Sequence, residues 1–216
     1  MKARRASAEV LFGWCCAALA AVACESVLDL PDAELIEVQP TLEQAAGPVC
    51  REYCDAALAN CTGAFQVYAN RVQCLNLCRG MAPGSPGDTQ GNSVQCRLSN
   101  ARLARDTAEP QSHCPQAGPG GAAAPAPLEN GVEEQPSPSC SSNCEGLCGG
   151  MLAICPEQYA SLSRCLQDCA SVPDLGGYDI SIGQGNSVQC RLFHLGAAAA
   201  APDPHCTHAA GASPCR

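Results

Sequence analysis

The sequence is poor in the side chains that build large hydrophobic cores, and it is almost free of lysine. Aromatic residues make up 4% of the 216 residues, with a single Trp, and Lys2 is the only lysine. So few large side chains cannot easily offset the chain entropy that folding removes. Because the only lysine stands at the second position, the rest of the chain can form neither a P-loop nor a Schiff base.

Several motifs of catalysis and cofactor binding are also missing. The sequence contains no C-x-x-C, no G-x-S-x-G and no H-E-x-x-H. The sequence therefore lacks the residues of the usual thioredoxin-like redox pair, of zinc knuckles and of c-type haem attachment. It also lacks those of the nucleophile elbow and of the zincin helix. We expect a protein without enzymatic activity, and an enzyme of unknown type is the weakest hypothesis.

The first residues have the pattern of an export signal. A basic start is followed by an apolar run over residues 10–23, which is short for a membrane span and ends in small residues. The segment Ala21–Val22–Ala23–Cys24 resembles the lipobox of bacterial lipoproteins. That resemblance implies removal of residues 1–23, acylation of Cys24 and attachment to a membrane through the lipid. Ordinary secretory cleavage after Ala23 and an uncleaved anchor are the alternatives.

The mature chain is acidic. Loss of residues 1–23 removes Lys2, Arg4, Arg5 and Glu9, which leaves 9 arginines against 20 acidic residues and a formal charge of −11. This charge argues against nucleic acid or anionic lipid as a partner. Glu25, rather than Asp, after the acylated cysteine favours the outer membrane by the sorting rule of enteric lipoproteins. We therefore expect a cell-envelope lipoprotein on the periplasmic side or the cell surface.

The chain repeats itself. Residues 90–98, QGNSVQCRL, recur unchanged as residues 184–192. Seven cysteines also recur in the same order, with Cys50, Cys54, Cys61, Cys74, Cys78, Cys96 and Cys114 matching Cys144, Cys148, Cys155, Cys165, Cys169, Cys190 and Cys206. Such ordered self-similarity indicates a tandem duplication.

The cysteine count indicates a disulfide framework. Cys215 closes the second copy, and assigning Cys140 to the first gives eight cysteines per copy, sixteen in all after Cys24. An even number per copy is what full pairing requires, although eight cysteines permit 105 pairings. The predicted organisation is a signal peptide (1–23), an acidic tether (24–49), a first cysteine-rich module (50–114, closed by Cys140), a Pro/Gly/Ala linker (115–139) and a second module (140–216).

The spacing of the cysteines predicts helices. In each copy, two C-x3-C pairs lie on two helical segments and suit an antiparallel hairpin closed by two bridges. The expected bridges are Cys50–Cys78, Cys54–Cys74, Cys144–Cys169 and Cys148–Cys165. A third helix should start at the N-caps Ser93 and Ser187 and run through Leu103 and through the alanines at 197–201. Its cysteines, Cys96 and Cys190, can bond to Cys61 and Cys155, which leaves Cys114–Cys140 and Cys206–Cys215. The predicted fold class is all-α, small and disulfide-rich, as two tandem copies of a helical hairpin plus a helix.

The histidines of the second copy suggest a metal site. His194, His205 and His208 can form a copper or zinc site if the fold brings them together. The first copy has Asn100 and Gln116 at two of these positions, so a structural role for the shared histidine, His113 or His205, is the stronger interpretation. For the repeated Arg97 and Arg191, bonds to loop carbonyls or acidic neighbours are favoured over an anion site.

The tail of the second copy carries a family resemblance. The residues CRLFH at 190–194, followed by DPHCTH at 203–208 and by Cys215, are similar to a cysteine-rich repeat of exported proteins from high-GC social and predatory bacteria. The resemblance implies the module and supplies no activity. Our leading hypothesis is a membrane-tethered, disulfide-stapled structural or protein-interaction lipoprotein, and the alternative is a periplasmic metal-binding protein that uses the second-copy histidines.

Overall fold

The computed structural model of the protein describes residues 41–122 and 140–216. These residues group by their contacts into one compact unit. The predicted signal peptide, Cys24 and the tether up to residue 40 lie outside the described residues, as do linker residues 123–139. We refer to residues 41–122 with Cys140 as the first half, and to residues 141–216 as the second half.

The described residues are helical. The first half contains α1 (Leu42–Asn60), a 3-10 turn (Gly63–Phe65), α2 (Arg71–Cys78), α3 (Val94–Asp106) and α4 (Pro110–Ala117). The second half contains α5 (Asn143–Ile154), α6 (Leu162–Cys169), α7 (Val188–Ala198) and α8 (Pro202–Ala209). Within these residues there is no β-strand, only an isolated bridge between Ala82 and Ser93. The predicted all-α, disulfide-rich fold class is confirmed.

The helix starts follow the local sequence. The Ser93 and Ser187 hydroxyls accept hydrogen bonds from the backbone N–H groups of Cys96 and Cys190, so the predicted N-caps of α3 and α7 are confirmed. Such caps satisfy backbone donors that the first helical turn leaves free.

The helix ends differ from the prediction. Helix α3 continues past Leu103 to Asp106. Helix α7 ends at Ala198, so the prediction that it runs through residue 201 was wrong. The chain needs this earlier end because Pro202 opens a separate helix, α8. Each half therefore has a fourth helix with a proline in its first turn, where a missing N–H costs nothing.

Helix α1 begins inside the segment that the sequence assigns to the tether. The Thr41 hydroxyl and the Gln44 side chain form a capping box at its start. Gly47 then takes a positive φ of 76° ahead of Pro48, and the helix bends there. This bend precedes Cys50, the first cysteine of the hairpin.

Two disulfides clamp the helical hairpin in each half, as the C-x3-C spacing predicts. The first half has Cys50–Cys78 and Cys54–Cys74, and the second has Cys144–Cys169 and Cys148–Cys165. The two cysteines of each C-x3-C motif lie one turn apart on a single helix face. The outer cysteine of one helix is therefore bonded to the outer cysteine of the other, and the inner to the inner. A disulfide contributes about 2–4 kcal/mol to the stability of a small domain.

The other four disulfides differ from the predicted pairs. Cys61 is bonded to Cys114 rather than to Cys96, and Cys96 is bonded to Cys140. The second half repeats this exchange, with Cys155–Cys206 and Cys190–Cys215. The reason is the fourth helix, which folds back against the third and carries its cysteine to the end of the first helix of that half. The cysteine of the third helix is then left for the residue that closes the half.

The two halves pack directly on each other where the chain leaves α4. Asn92 donates a side-chain hydrogen bond to the Glu145 carbonyl. At Gly146 of α5, a Cβ atom would lie 2.3 Å from the Gly120 carbonyl oxygen and 2.6 Å from that of Pro119. Only a residue without a side chain permits this approach of helix and backbone.

Candidate functional site

The structure brings together the three histidines that the sequence singled out. His194 lies on α7, and His205 and His208 lie on α8. One ring nitrogen from each of the three lies within 4.8 Å of the others. The ring centroids of His194 and His208 are 4.7 Å apart, and those of His194 and His205 are 5.1 Å apart. We call these three residues the histidine cluster.

His194 is the buried member of the cluster. Its side chain is 5% exposed, whereas His205 and His208 are half-buried. Its Nε2 lies 3.2 Å from the Gly183 carbonyl, and its Nδ1 lies 2.9 Å from Nδ1 of His205. Burial lowers the pKa of the His194 imidazole, against the Gly183 hydrogen bond, which raises it. Burial thus favours the neutral ring, which is the form that offers a lone pair.

Disulfides at both ends hold the helices of the cluster. Cys206, between His205 and His208, is bonded to Cys155 at the end of α5. Cys190, one turn before His194, is bonded to Cys215. The sulfurs of Cys190 and Cys215 lie within 4.8 Å of a His194 nitrogen, but because they are bonded to each other neither is a thiolate ligand.

The first half has a different set of side chains at the corresponding positions. Nδ1 of His113 lies 3.1 Å from Oδ1 of Asn100. The Asn100 amide N–H group donates to the Cys96 carbonyl at 3.2 Å and to Sγ of Cys140 at 3.3 Å. Gln116 is 3% exposed and donates to the Ser112 carbonyl. At these positions the first half therefore has hydrogen-bonded side-chain amides, where the second half has imidazoles.

The two arginines of the repeated nonapeptide have unequal surroundings. Arg97 is completely buried, and its guanidinium donates to the carbonyls of Gly118, Pro119 and Ser93 at 3.1–3.2 Å. Burial lowers its pKa. The interpretation as bonds to loop carbonyls is confirmed for Arg97. Arg191 is half-buried, and its Nε is buried without a hydrogen-bond partner.

Two tyrosines that the sequence did not single out lie buried near Arg97. The hydroxyl groups of Tyr53 and Tyr68 are 2.6 Å apart, and the Tyr53 hydroxyl donates to the Ala117 carbonyl at 2.5 Å. Burial raises the pKa of Tyr53 and raises that of Tyr68 to about 12. The one sequence signal for these tyrosines is the scarcity of aromatic residues, since the few that are present are expected to lie in the core.

The comparisons with known proteins place the chain in a family. The profile of the BfoA family C-terminal domain matches residues 13–126, which is more than half of the chain. The chain belongs to the BfoA family. The match spans α1 to α4, the first half of the fold, and ends before α5. Neither the curated proteins nor the solved structures contain a match to this BfoA-family chain.

Two further findings bear on location. The eight disulfides are typical of an exported protein, because reducing compartments do not sustain them. No helix among residues 41–122 and 140–216 combines the length and the apolar character that a membrane span needs.

Proposed function

We propose that the protein is an exported lipoprotein, tethered to the outer membrane through acylated Cys24, whose disulfide-bonded helices serve as a structural or protein-interaction module without enzymatic activity. The observation that carries this proposal is the pairing of all sixteen cysteines in the described residues into eight disulfides. Once residues 1–23 are removed, Cys24 is the one cysteine outside that framework. A lipid on its thiol accounts for it.

The disulfides explain how so small a core remains folded outside the cytoplasm. Among the described residues, thirty buried residues form the core, and ten of them are cysteines, whereas few are large aromatics. Cross-links that limit the unfolded chain replace part of the stability that burial of large side chains supplies elsewhere. Such a body suits a surface that must persist among proteases and without ATP-dependent chaperones.

The absence of enzymatic activity is proposed on the sequence. The mature chain lacks lysine and the motifs of the common hydrolase and redox sites, and the cysteines of residues 41–122 and 140–216 are all in disulfides. Nucleophilic catalysis by a thiolate needs a free thiol of low pKa. Within the described residues no cysteine meets that condition.

Intact-mass analysis of the mature protein, purified from the cell envelope without reductant, tests the proposal. We expect the mass of residues 24–216 plus acyl chains, less two hydrogens for each of eight disulfides. The variant Cys24→Ser should lose the acyl mass and leave the membrane fraction. An unacylated wild-type protein, or one with more than one free thiol per half, would contradict the proposal.

Resistance to proteolysis is the second measurement. The non-reduced wild-type protein should keep a large core of residues 41–216 after exposure to a broad-specificity protease, and reduction before the digest should abolish it. Equal digestion with and without reductant would show that the disulfides do not serve this purpose.

A further inference from the structure

We infer that His194, His205 and His208 form a binding site for one borderline divalent transition-metal ion, Zn²⁺ or Cu²⁺. Three imidazole nitrogens from two helices lie within 4.8 Å of one another, which is the first requirement of a shared ion. Imidazole is a preferred ligand of both ions. The inference is independent of the lipid anchor and of the interaction role.

The hydrogen bond of His194 fixes which nitrogen faces the cluster. The Gly183 carbonyl can only accept, so Nε2 of His194 carries the proton and Nδ1 of the neutral ring carries the lone pair. That Nδ1 lies 2.9 Å from Nδ1 of His205. Histidines that bind metals usually donate their other N–H in this way to a carbonyl or carboxylate, which orients the ring.

The distances suit a metal ion after a small adjustment. With a Zn–N bond of about 2.0–2.1 Å, two nitrogens of a tetrahedral site are separated by about 3.3 Å. The His194 and His205 nitrogens are closer than this, and the farthest pair in the cluster lies within 4.8 Å. Rotation of the half-buried rings of His205 and His208 can widen the first separation by about 0.4 Å and shorten the farthest one by up to about 1.5 Å.

A nitrogen of His208 lacks any other partner. Nδ1 of His208 is buried and forms no hydrogen bond with the described residues. A buried polar atom left unpaired costs about 1–3 kcal/mol. Coordination of an ion by this nitrogen would remove the penalty.

The ligands select the class of ion. Among the described residues, no carboxylate oxygen joins the cluster, and the adjacent sulfurs of Cys190 and Cys215 are held in a disulfide. Ca²⁺ and Mg²⁺ require oxygen ligands, so three nitrogens exclude them. A set of three imidazoles in an oxidising compartment fits Zn²⁺ and Cu²⁺, of which Cu²⁺ should bind more tightly by the Irving–Williams order.

The first half supplies matched substitutions. Asn100 and Gln116 stand at the positions that correspond to His194 and His208, and the helices around them have the same order. His194→Asn and His208→Gln therefore place side chains that this local fold already accepts. His113→Asn, in the first half, removes the fourth histidine of the chain without touching the cluster.

Titration of the mature, tag-free chain with ZnCl₂ and with CuCl₂, followed by native mass spectrometry and calorimetry, tests the inference. We expect one ion per chain, nitrogen hyperfine splitting in the Cu²⁺ paramagnetic resonance spectrum, and no binding of Ca²⁺ or Mg²⁺. Stoichiometric binding should be lost in His194→Asn and His208→Gln and retained in His113→Asn. Circular dichroism and thiol counts would establish that the variants are folded. If His194→Asn does not fold, His208→Gln, at a half-buried position, provides the test.

Three results would overturn the inference. They are no ion bound to the wild-type chain, an ion retained by folded His208→Gln, or an ion lost equally in His113→Asn. None of these bears on acylation or disulfide number, so the lipoprotein proposal stands or fails separately.

Discussion

Nη2 of Arg97 lies 3.2 Å from Oγ of Ser141 and donates a hydrogen bond to it, which links α3 to the first residue of the second half. The same guanidinium donates to carbonyl oxygens of residues 118–120. No ion pair joins Arg97 to a carboxylate of the described residues. A buried cation is thus solvated by the backbone that joins the halves.

Arg97→Ala should therefore destabilise the protein by about 3 kcal/mol or more, because several buried carbonyls lose their donors at once. The control is Arg191→Ala, the same residue of the repeated nonapeptide in the second half, where the side chain is half-buried; we expect a loss below about 1 kcal/mol. Denaturant unfolding of both variants measures the difference. Equal losses would contradict the role of Arg97 as the link between the halves.

Two glycines of α5 should respond in opposite directions to alanine. Gly146→Ala places a Cβ 2.3 Å from a backbone oxygen and should destabilise the protein by about 2 kcal/mol or more. Around Gly149 the nearest atom to such a Cβ is an Asn92 side-chain nitrogen at 3.6 Å. Gly149→Ala should therefore be neutral or stabilising by up to about 1 kcal/mol through helix propensity. Thermal unfolding of the pair checks both signs.

The disulfide pairing predicts which thiol a single substitution releases. Cys61→Ala removes the partner of Cys114, so alkylation without reductant should label Cys114. Labelling of Cys96 would support the pairing expected from the sequence instead. Peptide mass spectrometry distinguishes the two, and Cys155→Ala, which should release Cys206, repeats the test in the second half.

Stability should fall at alkaline pH because of the buried tyrosines. The folded pKa of Tyr68 is raised to about 12, and that of Tyr53 is also raised, above the value of about 10 for an exposed tyrosine. The folded state therefore holds these protons longer than the unfolded state does. Their contribution to stability is complete below pH of about 10 and is lost as the pH rises toward 12. Tyrosinate absorbance should appear together with unfolding; full titration near pH 10 in a folded protein would contradict the prediction.

A second metal site can be installed in the first half if the two halves share a local geometry. Asn100→His with Gln116→His places two imidazoles beside His113, which already contacts residue 100 at 3.1 Å. We expect the double variant to bind two ions per chain where the wild type binds one. Native mass spectrometry with Zn²⁺ counts them. A double variant that is folded and still binds one ion would show that the shared residue order does not carry a shared geometry.

The sequence predicts what depends on local spacing. The C-x3-C pairs and the serines at 93 and 187 each act within one or two helical turns, and the hairpin bridges and helix starts agree with expectation. The partners of Cys61 and of Cys96 depend instead on where α4 folds back. That helix is short and starts with a proline, so periodicity gives no signal for it.

The histidine cluster was predictable in membership but not in arrangement. His194 lies on a helix that the sequence predicts, whereas His205 and His208 lie on α8, which it does not. Gly183, whose carbonyl orients His194, belongs to a loop whose residue types do not predict a hydrogen bond to the following helix. The environment of Arg97 was hidden for a related reason, since its partners are backbone oxygens and carry no side-chain signature.

The Cys96–Cys140 bond spans residues 123–139. Hydrolysis of any peptide bond in that stretch leaves the upstream fragment attached to the downstream one through this disulfide. A nicked protein would migrate as one species until it is reduced, and it would keep any anchor carried at its N-terminus. A cut within residues 123–139 therefore leaves the two halves covalently joined, so a protease could open this chain there without releasing its second half.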